Sequence, residues 1–323
     1  MVSSSSNSSN SGSSNTELKF FKHVKYEHMV AGIAGGVTST LILHPLDVIK
    51  IRFSVSRPNG RTKVPQYNGM RSALSTIVKQ EGFKGLYKGL VPSIWGSGSS
   101  WGLYFLFYSS IKVWSQSGDT TTPLGPTTHM IAATEAGILT VVITNPVWVV
   151  RTRMCLQYGN ESDSANGKHY TGTIDALSKI YRVEGIRGWY KGLIPSLFGV
   201  SHSALHFMAF EEMRNYYNQQ YKSVPIDTNL GTKEFLMIVT SARFLATLLT
   251  FPFQVVRNRL QDHRAAGEYT GIVDCIRKTW RFEGFQGFYK GLTPNLTRIL
   301  PATIIIFTTY ENVSWYLLER RLD

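Results

Sequence analysis

The stretch YNGMRSALSTIVKQEGFKGLYKGLVP, residues 67–92, decides the fold. It returns twice. Tyr67, Gly69, Glu81, Gly82, Tyr87, Lys88, Gly89 and Pro92 are matched by Tyr170, Gly172, Glu184, Gly185, Tyr190, Lys191, Gly192 and Pro195. They are matched again by Tyr269, Gly271, Glu283, Gly284, Tyr289, Lys290, Gly291 and Pro294. In every copy the first glycine precedes the glutamate by twelve residues, the glutamate precedes the last glycine by eight, and the proline follows three later. A self-match in fixed register means a repeated structural unit, here of about a hundred residues. Length alone would suggest about two domains for 323 residues, and the triplication overrides that prior.

Inside the block, Met70, Ala73, Leu74 and Ile77 share one helical face, with Arg71 and Lys79 off it. That pattern predicts a short amphipathic helix at a membrane surface. Upstream of each block lies a long apolar stretch, roughly 29–46, 128–148 and 235–256, long enough to cross a bilayer. Each ends in a proline with one basic residue five places on and another seven on: Pro45, Lys50 and Arg52; Pro146, Arg151 and Arg153; Pro252, Arg257 and Arg259. A proline there is expected to kink the helix. Downstream, a second apolar stretch follows each block, and 92–111 holds no ionised side chain. One unit therefore reads as helix, surface helix, helix, and three units give six spanning segments.

Charge agrees with that reading. The chain carries a formal net charge of +13, and the first intra-repeat loop alone holds Arg57, Arg61, Lys63, Arg71, Lys79, Lys84 and Lys88. The joining loop 116–127 has no Lys or Arg, and 218–231 has only Lys222. Basic loops stay on the negative side of an energised membrane, so both termini and the joining loops belong on the other side. A soluble basic scaffold is the competing reading, and soluble repeats do not segregate charge by alternate loop. Residues 1–22 are rich in serine and asparagine and read as a disordered tail, neither a secretory signal nor an ordinary presequence. The carrying units are 23–117, 125–220 and 230–319. Two cysteines, Cys155 and Cys275, imply neither a disulfide framework nor a zinc site. No nucleophile elbow, phosphate-binding loop or zinc motif is present, which argues for a transporter over an enzyme.

These residues resemble the mitochondrial carrier family, whose signature is Pro-x-acidic-x-x-basic-x-basic followed by acidic-Gly-x-x-x-x-aromatic-basic-Gly. The resemblance covers roughly 24–318. It implies an all-α membrane protein: six tilted transmembrane helices in three pseudo-symmetric repeats, with three short matrix-side amphipathic helices. It further implies a functional monomer in the mitochondrial inner membrane, termini on the intermembrane-space side, working by alternating access. The matrix gate falls on Asp47, Lys50, Trp148, Arg151, Gln254 and Arg257, braced by Gln261. A cytoplasmic gate falls on Lys112, Glu211, Arg214 and Glu311. Gly69, Gly89, Gly172, Gly192, Gly271 and Gly291 open helices and are implied lipid sites, for cardiolipin. Helix N-termini do favour phosphate, and turn geometry is the plainer role.

The departures from threefold symmetry are informative. Where the family repeats an acid, this chain has Asp47, Trp148 and Gln254. At most one ion pair can form there, and Arg151 and Arg257 are expected to face a watery cavity with Gln254 or a substrate anion as partner. The Pro-x-Trp form, with Trp101 to Phe105, resembles the branch carrying folate, FAD, NAD and pyrimidine nucleotides, and most of all its folate and FAD carriers. FAD or folate enters here as transported substrate, not as a cofactor. Arg298 stands where the family contacts substrate, and its alternative is a lipid-interface arginine. Arg243 and Glu135 lie mid-segment and either serve the substrate or neutralise each other. Trp101 and Tyr104 can stack a planar ring or pack against a neighbouring helix. His202 and His206, one turn apart, read as cavity donors or core histidines, and no metal site is expected.

Overall fold

A computed structural model describes residues 26–56, 65, 67, 69–116, 126–158, 169–222, 231–263 and 268–319. The serine-rich tail and most of the variable loops lie outside the described residues. Among the described residues all regular structure is helical. The first repeat holds α1 (Tyr26–Val55), α2 (Met70–Glu81) and α3 (Leu90–Ser115). The second holds α4 (Pro126–Cys155), α5 (Thr173–Glu184), α6 (Leu193–Phe198) and α7 (Val200–Tyr216). The third holds α8 (Thr232–Gln261), α9 (Ile272–Glu283) and α10 (Leu292–Glu319).

The odd helices run well past their prolines. α1, α4 and α8 are 30 residues each and stay helical through Pro45, Pro146 and Pro252. At 1.5 Å per residue such a helix is about 45 Å long, against about 30 Å of hydrocarbon. Val30–Val55, Thr128–Cys155, Ile186–Gln220 and Thr232–Gln261 are long and apolar enough to cross a membrane. α3 and α10, at 26 and 28 residues, have the length. Serines in α3, and threonines with Arg298 in α10, dilute their apolar character. Gly199 separates α6 from α7 yet keeps helical dihedrals (φ −63°, ψ −21°), so the direction of the segment is retained.

The surface helices form where predicted, each 12 residues long and closed by a left-handed glycine: Gly82, Gly185 and Gly284, φ +71°, +66° and +63°. Each buries two residues one turn apart: Ala73 and Ile77, Ala176 and Ile180, Cys275 and Thr279. That narrow stripe covers the end of its own odd helix, as where Ala73 and Ile77 pack with Val48, Ile49, Ile51 and Val55. Leu74, on the same apolar face, is exposed.

By their contacts the described residues divide into two units, those between 40 and 303 and a smaller one made of 26–39 and 304–319. In the larger unit α3 packs along α4, and α7 along α8. In the smaller, Gly35 meets the backbone of Ile306 so closely that a Cβ would stand 3.0 Å from its carbonyl oxygen.

Candidate functional site

The site lies in the larger unit, where α1, α4 and α8 pass their prolines. Residues two and five beyond each proline are one helical turn apart and share a face. The first of each pair reaches the second of the next repeat. Asp47 Oδ2 accepts from Arg151 Nη2 at 3.1 Å. The ring of Trp148 lies under the Arg257 guanidinium at 5.8 Å. Gln254 Oε1 accepts from Lys50 Nζ at 2.9 Å. Repeat one reaches two, two reaches three, and three returns to one. The three contacts are chemically different: an ion pair, a cation–π contact and a neutral–charged hydrogen bond.

Arg151 and Arg257 were expected to have Gln254 or a substrate anion as partner, and within the chain Gln254 meets neither. Arg151 is taken by Asp47, donates through Nε to Ser93 Oγ at 2.7 Å, and lies over Trp148 at 5.3 Å. Gln254 holds Lys50, and neither arginine. Arg257 takes an aromatic face as partner. A tryptophan in an acid slot opposite a base was the available signal for that contact. Gln261 does not touch the Lys50–Gln254 pair. Its Oε1 accepts from Thr152 Oγ1 at 2.7 Å and its Nε2 donates to the Lys191 carbonyl at 3.3 Å, tying repeat three to repeat two.

Arg298 joins the ring from α10. Its Nε stands 3.3 Å from Asp47 Oδ1, a charge contact without hydrogen-bond geometry. One buried carboxylate therefore serves two guanidiniums.

Beneath the ring lies a second, symmetric layer that the site reading had missed. The residue seven beyond each proline forks onto the glutamate of its own block: Arg52 on Glu81 at 2.6 and 2.9 Å, Arg153 on Glu184 at 2.7 and 2.8 Å, Arg259 on Glu283 at 2.6 and 2.8 Å. Lys88, Lys191 and Lys290 add a second cation to the same carboxylates at 2.6, 2.8 and 2.6 Å. Each arginine Nε also donates to the next repeat's helix end: Cys155 O at 3.0 Å, Gln261 O at 3.2 Å and Ser54 O at 3.0 Å. Burial would raise these glutamates. The arginine and lysine donors outweigh it and hold Glu81 and Glu283 below the ordinary range, and Glu184 down to about 2.

Glycines complete the junctions. Gly89, Gly192 and Gly291 have φ +80°, +74° and +90°. A Cβ there would stand 3.0 Å from Arg151 O, 3.2 Å from Arg257 O and 2.6 Å from Lys50 O. The even helices thus begin on the backbone of the next repeat's ring residue. Gly69, Gly172 and Gly271 open the surface helices with nothing within 4 Å of a Cβ.

The other candidates separate. His202 Nδ1 is 3.0 Å from Thr250 Oγ1, and His206 Nε2 is 3.3 Å from Val239 O, so both tie α7 to α8. Among the described residues no three ligating side chains could hold a metal ion. Arg243 is half-buried on α8 and Glu135 exposed on α4, and no ion pair joins them among the described residues. Trp101 is exposed on α3, and its ring lies 6.2 Å from that of Tyr104 and 5.9 Å from that of Phe105 on its own helix. Tyr104 stacks on Tyr108 at 6.1 Å, and Tyr108 Oη meets His129 Nδ1 at 2.8 Å. At the residues read as a cytoplasmic gate, Arg214 pairs with Glu211 of its own helix at 2.8 Å. Lys112 lies in the last turn of α3, and Glu311 is exposed on α10 in the smaller unit.

The family model described as mitochondrial carrier protein matches residues 22–118, 122–221 and 232–321. The chain is 39% identical over 296 residues to folate transporter 1, chloroplastic, of Arabidopsis thaliana, covering 90% of this chain and 94% of that one. It is 39% identical over 294 residues to nicotinamide adenine dinucleotide transporter 1, chloroplastic, of the same plant, covering 89% and 90%. It is 29% identical over 308 residues to the mitochondrial FAD carrier protein of Saccharomyces cerevisiae, covering 89% and 96%.

Proposed function

Because the chain belongs to the mitochondrial carrier family, we propose that it carries folate or FAD across the mitochondrial inner membrane by alternating access. In this reading the Asp47–Arg151, Trp148–Arg257 and Gln254–Lys50 contacts are the matrix gate, and both termini face the intermembrane space. The observation that carries the substrate class is charge. Lys50, Arg151, Arg257 and Arg298 meet at a ring with one carboxylate, Asp47. Uncompensated cations within a membrane are costly, so the excess calls for an anion. Folate offers two carboxylates and FAD a pyrophosphate, and both suit guanidinium forks. Their planar rings would find Trp101 and Tyr104. Transport requires only that substrate favour one gate state over the other. We read the glycine-opened helix starts as sites for lipid phosphate.

NAD is the second reading, favoured by the equal identity to a relative named for it. Its nicotinamide ring is itself cationic, which a surplus of arginines opposes. Liposomes holding the purified chain and loaded in turn with folate, FAD, NAD and CTP test the choice. Saturable uptake of folate or FAD is expected. Uptake of NAD alone would move the reading to NAD, and uptake of none would overturn it.

A further inference from the structure

We propose that Asp47 is a built-in competitor for the substrate anion: with the ring closed, its carboxylate occupies Arg298 in the place a substrate carboxylate or phosphate would take. The inference rests on the reading of the substrate as an anion, and extends it by assigning the residue that substrate must displace.

The two arginines on Asp47 are held unequally. Arg151 is anchored three ways, by Asp47 Oδ2 at 3.1 Å, Ser93 Oγ at 2.7 Å and the Trp148 ring at 5.3 Å. Arg298 has Asp47 Oδ1 at 3.3 Å, its Nε makes no hydrogen bond, and its side chain is 27% exposed. Asp47 itself is 3% exposed. Arg298 is therefore the arm on offer, loosely held and reachable. An arriving anion can give it the two-pronged geometry that Asp47 does not. Once exchanged, the substrate charge stands beside the Asp47 charge, and like charges disfavour that arrangement. Asp47 loses its link to α10 and keeps only Arg151. Binding and loosening of the ring are then one exchange, which gives the substrate the differential contact that any population shift requires.

The consequence runs against the usual effect of damaging a gate. Removing the Asp47 charge frees Arg298, so Asp47→Asn should bind anions more tightly, by about tenfold, while transport slows. The gain should vanish in Asp47→Asn with Arg298→Gln. Affinity is measured by titrating the purified full chain in detergent with folate, FAD, NAD and inorganic pyrophosphate, following tryptophan fluorescence. Unchanged or weaker binding by Asp47→Asn overturns the proposal, as does a gain that survives loss of Arg298. Should Asn at this position yield no folded carrier, the wild type still decides. Carbodiimide labelling of Asp47, read by mass spectrometry, should rise when the probe binds, and protection would refute displacement. If pyrophosphate shows the gain but none of the three metabolites binds, the folate or FAD reading fails and this inference stands. If folate or FAD is transported without any gain, the reverse holds.

Discussion

Alanine at Gly291 separates two demands that a glycine can answer. Gly284 and Gly291 both sit in the left-handed region, at φ +63° and +90°. Their surroundings differ. A Cβ on Gly284 meets nothing within 4 Å, whereas one on Gly291 would stand 2.6 Å from Lys50 O and 3.4 Å from Phe53 Cβ. Gly284→Ala, at ψ −158°, thus costs the backbone alone, about 1–3 kcal/mol. Gly291→Ala carries that cost and adds overpacking of about 1–3 kcal/mol, because the atom in the way is backbone and cannot swing aside. Its total is about 2–6 kcal/mol. Gly172→Ala is the control, extended at φ −168° with open space, and should change little. The two cysteines are free and buried, so a thiol-reactive dye reports unfolding in detergent without further labelling. The melting temperatures should fall in the order Gly172→Ala, Gly284→Ala, Gly291→Ala, the last lowest. Equal losses at Gly284 and Gly291 would refute the claim that α10 begins against the backbone of α1.

The buried forks give two further expectations. Glu283→Ala leaves Arg259, which is fully buried, without its carboxylate, and should cost about 3–5 kcal/mol in the same melts. Glu184 is held from its ordinary 4.5 down to about 2, so its ion pair contributes fully above pH 4.5 and is lost as pH falls from there towards 2. At about 1.4 kcal/mol per pH unit the contribution is about 3 kcal/mol. Melts followed by tryptophan fluorescence should be insensitive to this group between pH 7 and 5 and decline below. Glu184→Gln should be less stable at pH 7 and flatten that decline.

The fixed block made the triplication and the three surface helices legible, because glycine, glutamate and lysine recur at one spacing. Their purpose was not legible. Arg52 and Glu81 are 29 residues apart, and nothing in either segment says that one forks onto the other while also bonding the helix end of the next repeat. The broken symmetry at Asp47, Trp148 and Gln254 was visible as a list of residue types. Residue types alone do not say which base each one meets, because that depends on how the helices pack. The arginines were expected to take Gln254 or a substrate anion, and Gln254 takes Lys50. Spacing also placed His202 and His206 on one face of a helix. A face does not name its neighbour, and here the neighbour is α8, at Thr250 and Val239.

Transport through this chain requires the ring to open. Lys50 and Gln254, in contact at 2.9 Å, can each be replaced by cysteine and bridged with a short thiosulfonate cross-linker in the reconstituted carrier. Cys155 and Cys275 are buried and should not compete for the reagent. The bridged carrier should lose folate or FAD uptake, and reduction should restore it. Uptake that continues at the unbridged rate would contradict the gate.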